Sequence, residues 1–314
     1  MRGLKLIPDD VNIPFIPLRK FFFAFSISLV VASLAIFFIK GLSYGIDFKG
    51  GILIEVHTPG NVQIGQLRSD LRNLGLGDVS LQTFGNPNEV LIRIGRQSGG
   101  ETAQLKAVAT VKAALGKGIE YRRTEFVGPK VSSELLMDGV YAVLAAMIAI
   151  LGYVWVRFEW QFGLAAVVAL VHDVTSTIGL FSLLGLEFNL TTVAAVLTIA
   201  GYSINDTVVV FDRVRETLRK YKTMPLPELF NRAINETLSR TLITSLTTLL
   251  ALVALFILGG PVIHDFSLAM IWGIVVGTYS SICVAVPMLL YMNLQRRGGK
   301  DDKNTEEAPT HGAA

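Results

Sequence analysis

A helix needs about twenty apolar residues to cross a hydrocarbon core about 30 Å thick. Six stretches of this chain meet that demand: Phe21–Ile39, Leu135–Val156, Phe162–Leu184, Leu190–Phe211, Thr241–Leu258, and Phe266 to about Met292, with Pro287 near its end. The first, fifth and sixth hold no Asp, Glu, Lys or Arg at all. The chain therefore reads as a polytopic α-helical membrane protein with six transmembrane helices. Composition supports this, with 51% hydrophobic and only 17% charged residues among 314, where soluble proteins carry about 25% charged residues. A plain soluble enzyme, a disordered chain and a disulfide scaffold are excluded. The net charge of +3 is too small to suggest a nucleic-acid partner. The one cysteine, Cys283, leaves no disulfide and no Cys-based metal site. No metal, cofactor or catalytic residue is expected. A signal peptide is the rival reading of the first run, because Arg19 and Lys20 precede it. Its length and the lack of a small-x-small cleavage site favour a retained span.

Lys and Arg set the orientation. Arg2, Lys5, Arg19 and Lys20 flank the first span, and Arg157 lies between the second and third. Arg213, Arg215, Arg219, Lys220, Lys222, Arg232 and Arg240 follow the fourth, and Arg296, Arg297 and Lys300 the last. All four clusters fall on one face, read as the cytoplasm, with both termini there. The opposite loops, Gly185–Asn189 and Gly259–Asp265, lack Lys and Arg. The expected division is a cytoplasmic N-terminus (1–20), a first helix (21–40), an external domain (41–134), then helices two to six (135–294). A cytoplasmic connector (213–240) interrupts the last of these, and a disordered cytoplasmic tail (295–314) ends the chain. Pro225 and Pro227 are expected to split the connector, leaving Glu228–Thr237 as a short surface helix; anionic lipid is a natural anchor for it.

Between the first two spans, Ile52–His57 alternates as a strand. Gln63–Leu74 has helical spacing, with Ile64, Leu67, Leu71 and Leu74 on one face. Val79–Phe84 and Val90–Ile94 read as strands joined by a turn at Gly85-Asn86-Pro87-Asn88. Glu101–Leu115 is helical and Ile119–Phe126 a last strand. The order βαββαβ is that of a ferredoxin-like α+β domain, a fold that identifies no function by itself. It contains no nucleophile, base and orienter cluster, and His57 reads as structural. The domain is taken as a binding or levering module.

Ionisable side chains inside a span cost at least about 2.5–3.5 kcal/mol each. Asp206 lies in Ile199-Ala-Gly-Tyr-Ser-Ile-Asn-Asp-Thr-Val-Val-Val-Phe211, deep enough to be partly desolvated. Tyr202 and Ser203, one turn back, share its face and are expected to hydrogen-bond to it; Asn205 is a further supporting candidate. Arg240 opens the fifth span. A cation at a helix N-terminus opposes the dipole, and so does an anion toward a C-terminus. Each charge is badly sited alone and would be relieved by the other, which is the reason to pair them; Arg240 snorkelling to the interface is the plain alternative. Thr241, Thr244, Ser245 and Thr248 form a hydroxyl stripe, read either as a path for ordered water or as helix–helix glue. His172 and Asp173, near the middle of the third span, are either a structural pair or a proton-relay position. Asp265 reads as the N-cap of the sixth span. Gly273-Ile-Val-Val-Gly277 with Ser280 and Ser281 suggests a close-packed helix face.

Seven stretches together carry a resemblance: Gly45-Ile-Asp-Phe-Lys-Gly-Gly51, Val127-Gly-Pro129, Val171-His-Asp173, Gly201-Tyr-Ser-Ile-Asn-Asp206, Phe211-Asp-Arg-Val-Arg-Glu216, Ser239-Arg-Thr-Leu-Ile-Thr-Ser245 and Gly259-Gly-Pro261. Through them nearly the whole chain resembles the SecF-like subunits of the bacterial SecD–SecF protein-export pair, within the wider resistance-nodulation-division transporter fold. The resemblance implies an inner-membrane subunit that pairs with SecD and joins the SecYEG channel and its accessory membrane subunits. It implies use of the proton gradient to help draw unfolded exported polypeptides outward. It places the family's proton pathway on Asp206 and Arg240, with a further acid supplied by SecD. The competing readings are a half-size proton-coupled exporter of small molecules or lipids, and a passive assembly subunit.

Overall fold

The computed structural model describes residues 11–60, 63–83, 88–116, 118–292 and 294. The expected turn at 85–87, the tail after 294 and residues 1–10 lie outside them. Among the described residues six helices are long and apolar enough to cross a membrane: Arg19–Lys40, Lys130–Arg157, Trp160–Leu184, Leu190–Lys220, Leu226–Leu258 and Ile263–Tyr291. The first and second bury little of themselves in the chain, and the third and sixth are largely enclosed.

Helix α1 (Arg19–Lys40) ends at Gly41 and leads through β1 (Ser43–Tyr44) and the one-turn α2 (Ile46–Lys49) into the extramembrane domain. There follow β2 (Gly51–His57), α3 (Ile64–Arg72), β3 (Val79–Thr83), β4 (Glu89–Ile94), α4 (Gly100–Leu115) and β5 (Glu120–Val127). The sheet order is β3-β4-β2-β5, antiparallel throughout. Alternation puts Ile52, Ile54, Val56, Val79, Leu81, Val90, Ile92 and Ile94 on one face. They pack with Leu71 and Leu76, from α3 and just after it, and with Ala107 and Val111 of α4 into a closed core. At Gly51 the backbone has φ +129° and an added Cβ would lie 2.5 Å from the Ile94 carbonyl oxygen. Only glycine fits this entry to the sheet.

The bundle continues with α5 (Pro129–Arg157), α6 (Trp160–Leu184), the two-residue β6 (Glu187–Phe188), α7 (Leu190–Lys220), α8 (Leu226–Leu258) and α9 (Pro261–Ser280). A π-helical turn, Ser281–Ala285, then gives way to the short α10 (Val286–Met288) and a 3₁₀ turn, Leu289–Tyr291. Pro287 has no N–H to offer the carbonyl four residues back, and a π turn takes up that break. Helix α9 starts at Pro261 after Gly260, with φ +73°. Asp265 therefore sits inside the first turns rather than at the cap, and its Oδ1 lies 3.1 Å from His264 Nδ1.

The connector differs from expectation. Helix α7 runs on to Lys220 and α8 begins at Leu226, so 213–240 is mostly a helical hairpin. Pro225 is the N-cap and Pro227 lies in the first turn, positions where proline starts a helix instead of splitting one. The hairpin is held by a core of Phe158, Phe162, Val210, Phe211, Val214, Leu229, Phe230, Ala233 and Ile234, with Ile16 and Ile282 against it. Asn235 brackets the backbone of Ile13: Oδ1 accepts from its N–H at 2.8 Å and Nδ2 donates to its carbonyl at 3.0 Å.

Helices α1 and α6 pack through small residues. Ser26 and Ser33 are the buried residues of α1, and a Cβ added at Gly179 would fall on the side chain and backbone of Ser33. We expect Gly179→Val to force α1 off α6 and to cost about 1–3 kcal/mol, read as a lowered thermal midpoint of the purified protein. An unchanged midpoint would show that the two helices are held elsewhere.

Candidate functional site

Among the described residues the most enclosed ionisable group in the bundle is Asp173, on α6 and 0% exposed. Its Oδ2 accepts from Ser203 Oγ of α7 at 2.5 Å and from Ser280 Oγ of α9 at 2.8 Å. Its Oδ1 lies 2.9 Å from His172 Nδ1. Two hydroxyls thus donate to one carboxylate that an imidazole nitrogen also faces, so its burial is compensated by polar partners. Close approach of α9 makes it possible. A Cβ at Gly273 would overlap Ile199 of α7, and one at Gly277 would lie 3.1 Å from Ser203 Cβ. The expected close-packed face Gly273–Gly277 is used in this way. One turn further along, Thr207 Oγ1 and Ser281 Oγ are 2.8 Å apart. His172 Nε2 is buried with no hydrogen-bond partner among the described residues.

Asp206 lies one turn from Ser203, about 4.5 Å along α7, and is 3% exposed. Its Oδ2 is buried and has no hydrogen-bond partner among the described residues. The groups turned toward it are the Arg240 guanidinium and the Ser245 hydroxyl, and Ser245 Oγ is itself 2.7 Å from Thr278 Oγ1. The structure brings Asp206 and Arg240 to the same region without a direct ion pair: among the described residues, no such contact within 4.0 Å forms. The reason is axial. Asp206 is level with Ser245, five residues beyond Arg240 and so about 7.5 Å along α8. Arg240 is exposed in this chain.

The supporting residues are redistributed. Ser203 bonds to Asp173, not Asp206, because a short hydroxyl reaches the helix it touches rather than the next turn of its own. The Tyr202 hydroxyl donates to Thr248 Oγ1 at 3.5 Å, away from Asp206. Asn205 is exposed. Thr244 is exposed and bonds back to the carbonyls of Arg240 and Thr241, as a helical threonine does by default. The buried members of that stripe are Thr241 and Ser245. Ser280, Thr207 and Thr278 are not among the expected site residues; the available signal is the cluster Thr278, Ser280 and Ser281 in the sixth apolar run and Ser203 with Thr207, four residues apart, in the fourth. Among the described residues no group of three His, Cys, Asp or Glu side chains is placed to hold a metal ion.

A second polar assembly joins the bundle to the extramembrane domain. Asp47 of α2 accepts from the Leu190 N–H at 3.0 Å and so caps α7, the helix that carries Asp206. Asn189 and Thr192 add a reciprocal capping box. Strands β1 and β6 pair in parallel, Ser43 with Glu187 and Tyr44 with Phe188. Arg93, from β4 of the domain, forms an ion pair with Glu187. Burial pushes the Glu187 carboxyl above its ordinary range; Arg93 opposes the shift, and Asp47 and Asp265 add to it.

Comparison with known proteins fits this layout. A family model described as protein export membrane protein SecD/SecF, C-terminal, matches residues 107–295. The SecD/SecF GG motif matches residues 35–58. The chain is 47% identical over 314 residues to protein translocase subunit SecF of Rhodobacter capsulatus, covering 95% of this chain and 94% of the relative. It is 45% identical over 290 residues to that of Rickettsia felis, covering 91% and 94%. A crystal structure of SecDF, a translocon-associated membrane protein from Thermus thermophilus, superposes with TM-score 0.83 at 40% identity, over 90% of this chain and 39% of that one. SecDF in a super-membrane-facing form gives TM-score 0.65 at 36% identity, over 91% and 39%. The chain thus spans about two fifths of those SecDF chains. With relatives this similar along nearly all of its length, this multi-pass membrane chain belongs to the SecF family of protein translocase subunits, accessory subunits of Sec protein export.

Proposed function

We propose that the chain couples a transmembrane proton gradient to export, with Asp206 as the proton-carrying group and Arg240 as the charge that senses its state. The observation that carries this reading is a carboxylate buried between α7 and α8 whose Oδ2 has no hydrogen-bond partner among the described residues, with the Arg240 guanidinium near enough to act on its charge and itself in no ion pair among those residues. A proton on Asp206 removes the charge that Arg240 faces, which changes the electrostatic balance between the two helices. The chain pairs with SecD, which supplies a further acid, and together they act at the SecYEG channel on unfolded exported polypeptide. It lies in the inner membrane with both termini in the cytoplasm and a ferredoxin-like domain in the periplasm. His172 and Asp173 form the neighbouring buried dyad through which repacking of α7 reaches α6 and α9. One proton crossing about 100 mV releases about 2.3 kcal/mol, enough to bias a two-state element about fiftyfold. The test is proton flux into vesicles holding the chain with its SecD partner. Flux is expected with the native chain and not with Asp206→Asn; equal flux would refute the assignment.

Movement of α7 is passed outward through its Asp47 cap and the Arg93–Glu187 pair. A carboxyl whose pKa is raised in the joined state binds its proton more tightly there than when solvated. The joint is therefore firmest below the ordinary glutamate range and loosens as pH rises through the raised value. We expect proteolytic protection of the domain–bundle joint to fall with rising pH, and Glu187→Gln to flatten that dependence. A dependence that persists unchanged in Glu187→Gln would assign it to another group.

A further inference from the structure

At the end of the bundle that holds the α7–α8 hairpin, a cleft of about 400 Å³ is lined by Arg157, Asp212, Arg215, Glu216, Arg219 and Lys220. Four cations face two carboxylates, and both carboxylates are already engaged. Arg157 Nη2 donates to Asp212 at 2.7 and 2.9 Å, and Glu216 is held by Arg213 at 2.6 Å. Arg215 donates to the Arg157 carbonyl at 3.0 Å and lies over the Phe158 ring, 5.6 Å from its centre. Arg219 and Lys220 are exposed, and Lys220 lies over the Tyr221 ring at 5.3 Å. Among the described residues, none of these three cations pairs with a carboxylate within 4.0 Å.

The cleft's position narrows its ligand. Helix α5 ends at Arg157 and α6 begins at Trp160, so this turn is where two spans leave the hydrocarbon. Trp155 is 67% exposed, Trp160 59% and the intervening Val156 92%. Exposed tryptophans at the end of a span mark headgroup depth. Arg157, which lines the cationic cleft, thus follows directly on the exposed Trp155 and Val156 of the same helix. We propose that the cleft is a binding site for the headgroup of an anionic phospholipid. The phosphate is held by Arg215, Arg219 and Lys220, and the acyl chains lie along Trp155 and Val156. A soluble phosphate would satisfy the cations and leave the apolar rim bare; a zwitterionic lipid would bring its own cation into an already positive cleft.

Native mass spectrometry of the purified full chain tests this, with added phosphatidylglycerol or phosphatidylcholine. Retention of phosphatidylglycerol over phosphatidylcholine is expected. The double variant Arg219→Gln/Lys220→Gln should weaken that retention about thirtyfold, from two cations each attracting anionic lipid. Arg232→Gln, whose cation is already tied to Glu236 at 2.9 Å, should leave it unchanged. An unaltered thermal midpoint shows that the double variant is folded; if it is not, Lys220→Gln alone carries the test, with about a fivefold loss expected. Equal retention of both lipids, or undiminished phosphatidylglycerol in the variant, overturns the site. So does displacement of the lipid by millimolar inorganic phosphate, or a variant that keeps lipid but loses its protein partner.

Discussion

Asp206→Asn is expected to insert and assemble normally and to abolish gradient-dependent export. Asparagine keeps the volume and the polar tip of a side chain that is 3% exposed, so packing of α7 against its neighbours is preserved. It cannot take up and release a proton, and the charge facing Arg240 is lost in every state. The bias of about fiftyfold that one proton supplies at about 100 mV disappears with it. The measurement is export of a secreted reporter in membrane vesicles, with and without a proton gradient. The native chain should export faster when the gradient is imposed, and the variant at the gradient-free rate in both conditions. Arg240→Gln should give the same uncoupled phenotype. A variant that still responds to the gradient would move the proton carrier to another group.

Asp173→Ala is expected to fail in a different way. Removing this carboxylate leaves the Ser203 and Ser280 hydroxyls and His172 Nδ1 facing a dry cavity between three helices. Breaking a buried charged network by deleting one partner costs about 3–5 kcal/mol, which for a chain of this size lowers the thermal midpoint by roughly 10 °C. Asp173→Asn retains one acceptor oxygen and should lose less. Thermal unfolding in detergent separates the cases, since Asp206→Asn should melt with the native chain while Asp173→Ala should not. If Asp173→Ala melts like the native chain, the three-helix junction is not held by this carboxylate.

The six spans are legible because an apolar run of that length has one physical solution, even where it carries a single Asp, as the second, third and fourth do. So are the strands and helices of the extramembrane domain, where period-two and helical patterns are undisturbed. The hairpin of α7 and α8 was misread because Pro225 and Pro227 look like breakers when their place in the first turn is unknown. At the site, the dipole argument brought Asp206 and Arg240 to one region but could not fix their heights, which depend on how far α8 slides along α7. Ser203, expected at Asp206, bonds to Asp173 for a related reason. Spacing shows which residues share a helix face but not which neighbouring helix that face meets. Asp47 was quoted only within a recognised motif. Its hydrogen bond to Leu190 spans 143 positions and has no local signature.

The joint at β1 and β6 constrains how such proteins can be recombined. The extramembrane domain is attached by its two chain crossings and also by Asp47 at the start of α7 and Arg93 on the loop before it. A graft that exchanges residues 41–134 between relatives without the matching 185–190 segment keeps the backbone N–H that Asp47 caps but parts Arg93 from the side chain at 187. Such chimaeras should fold in both halves and hold them together less firmly, and the segment 185–190 is the smallest cargo that has to travel with the domain.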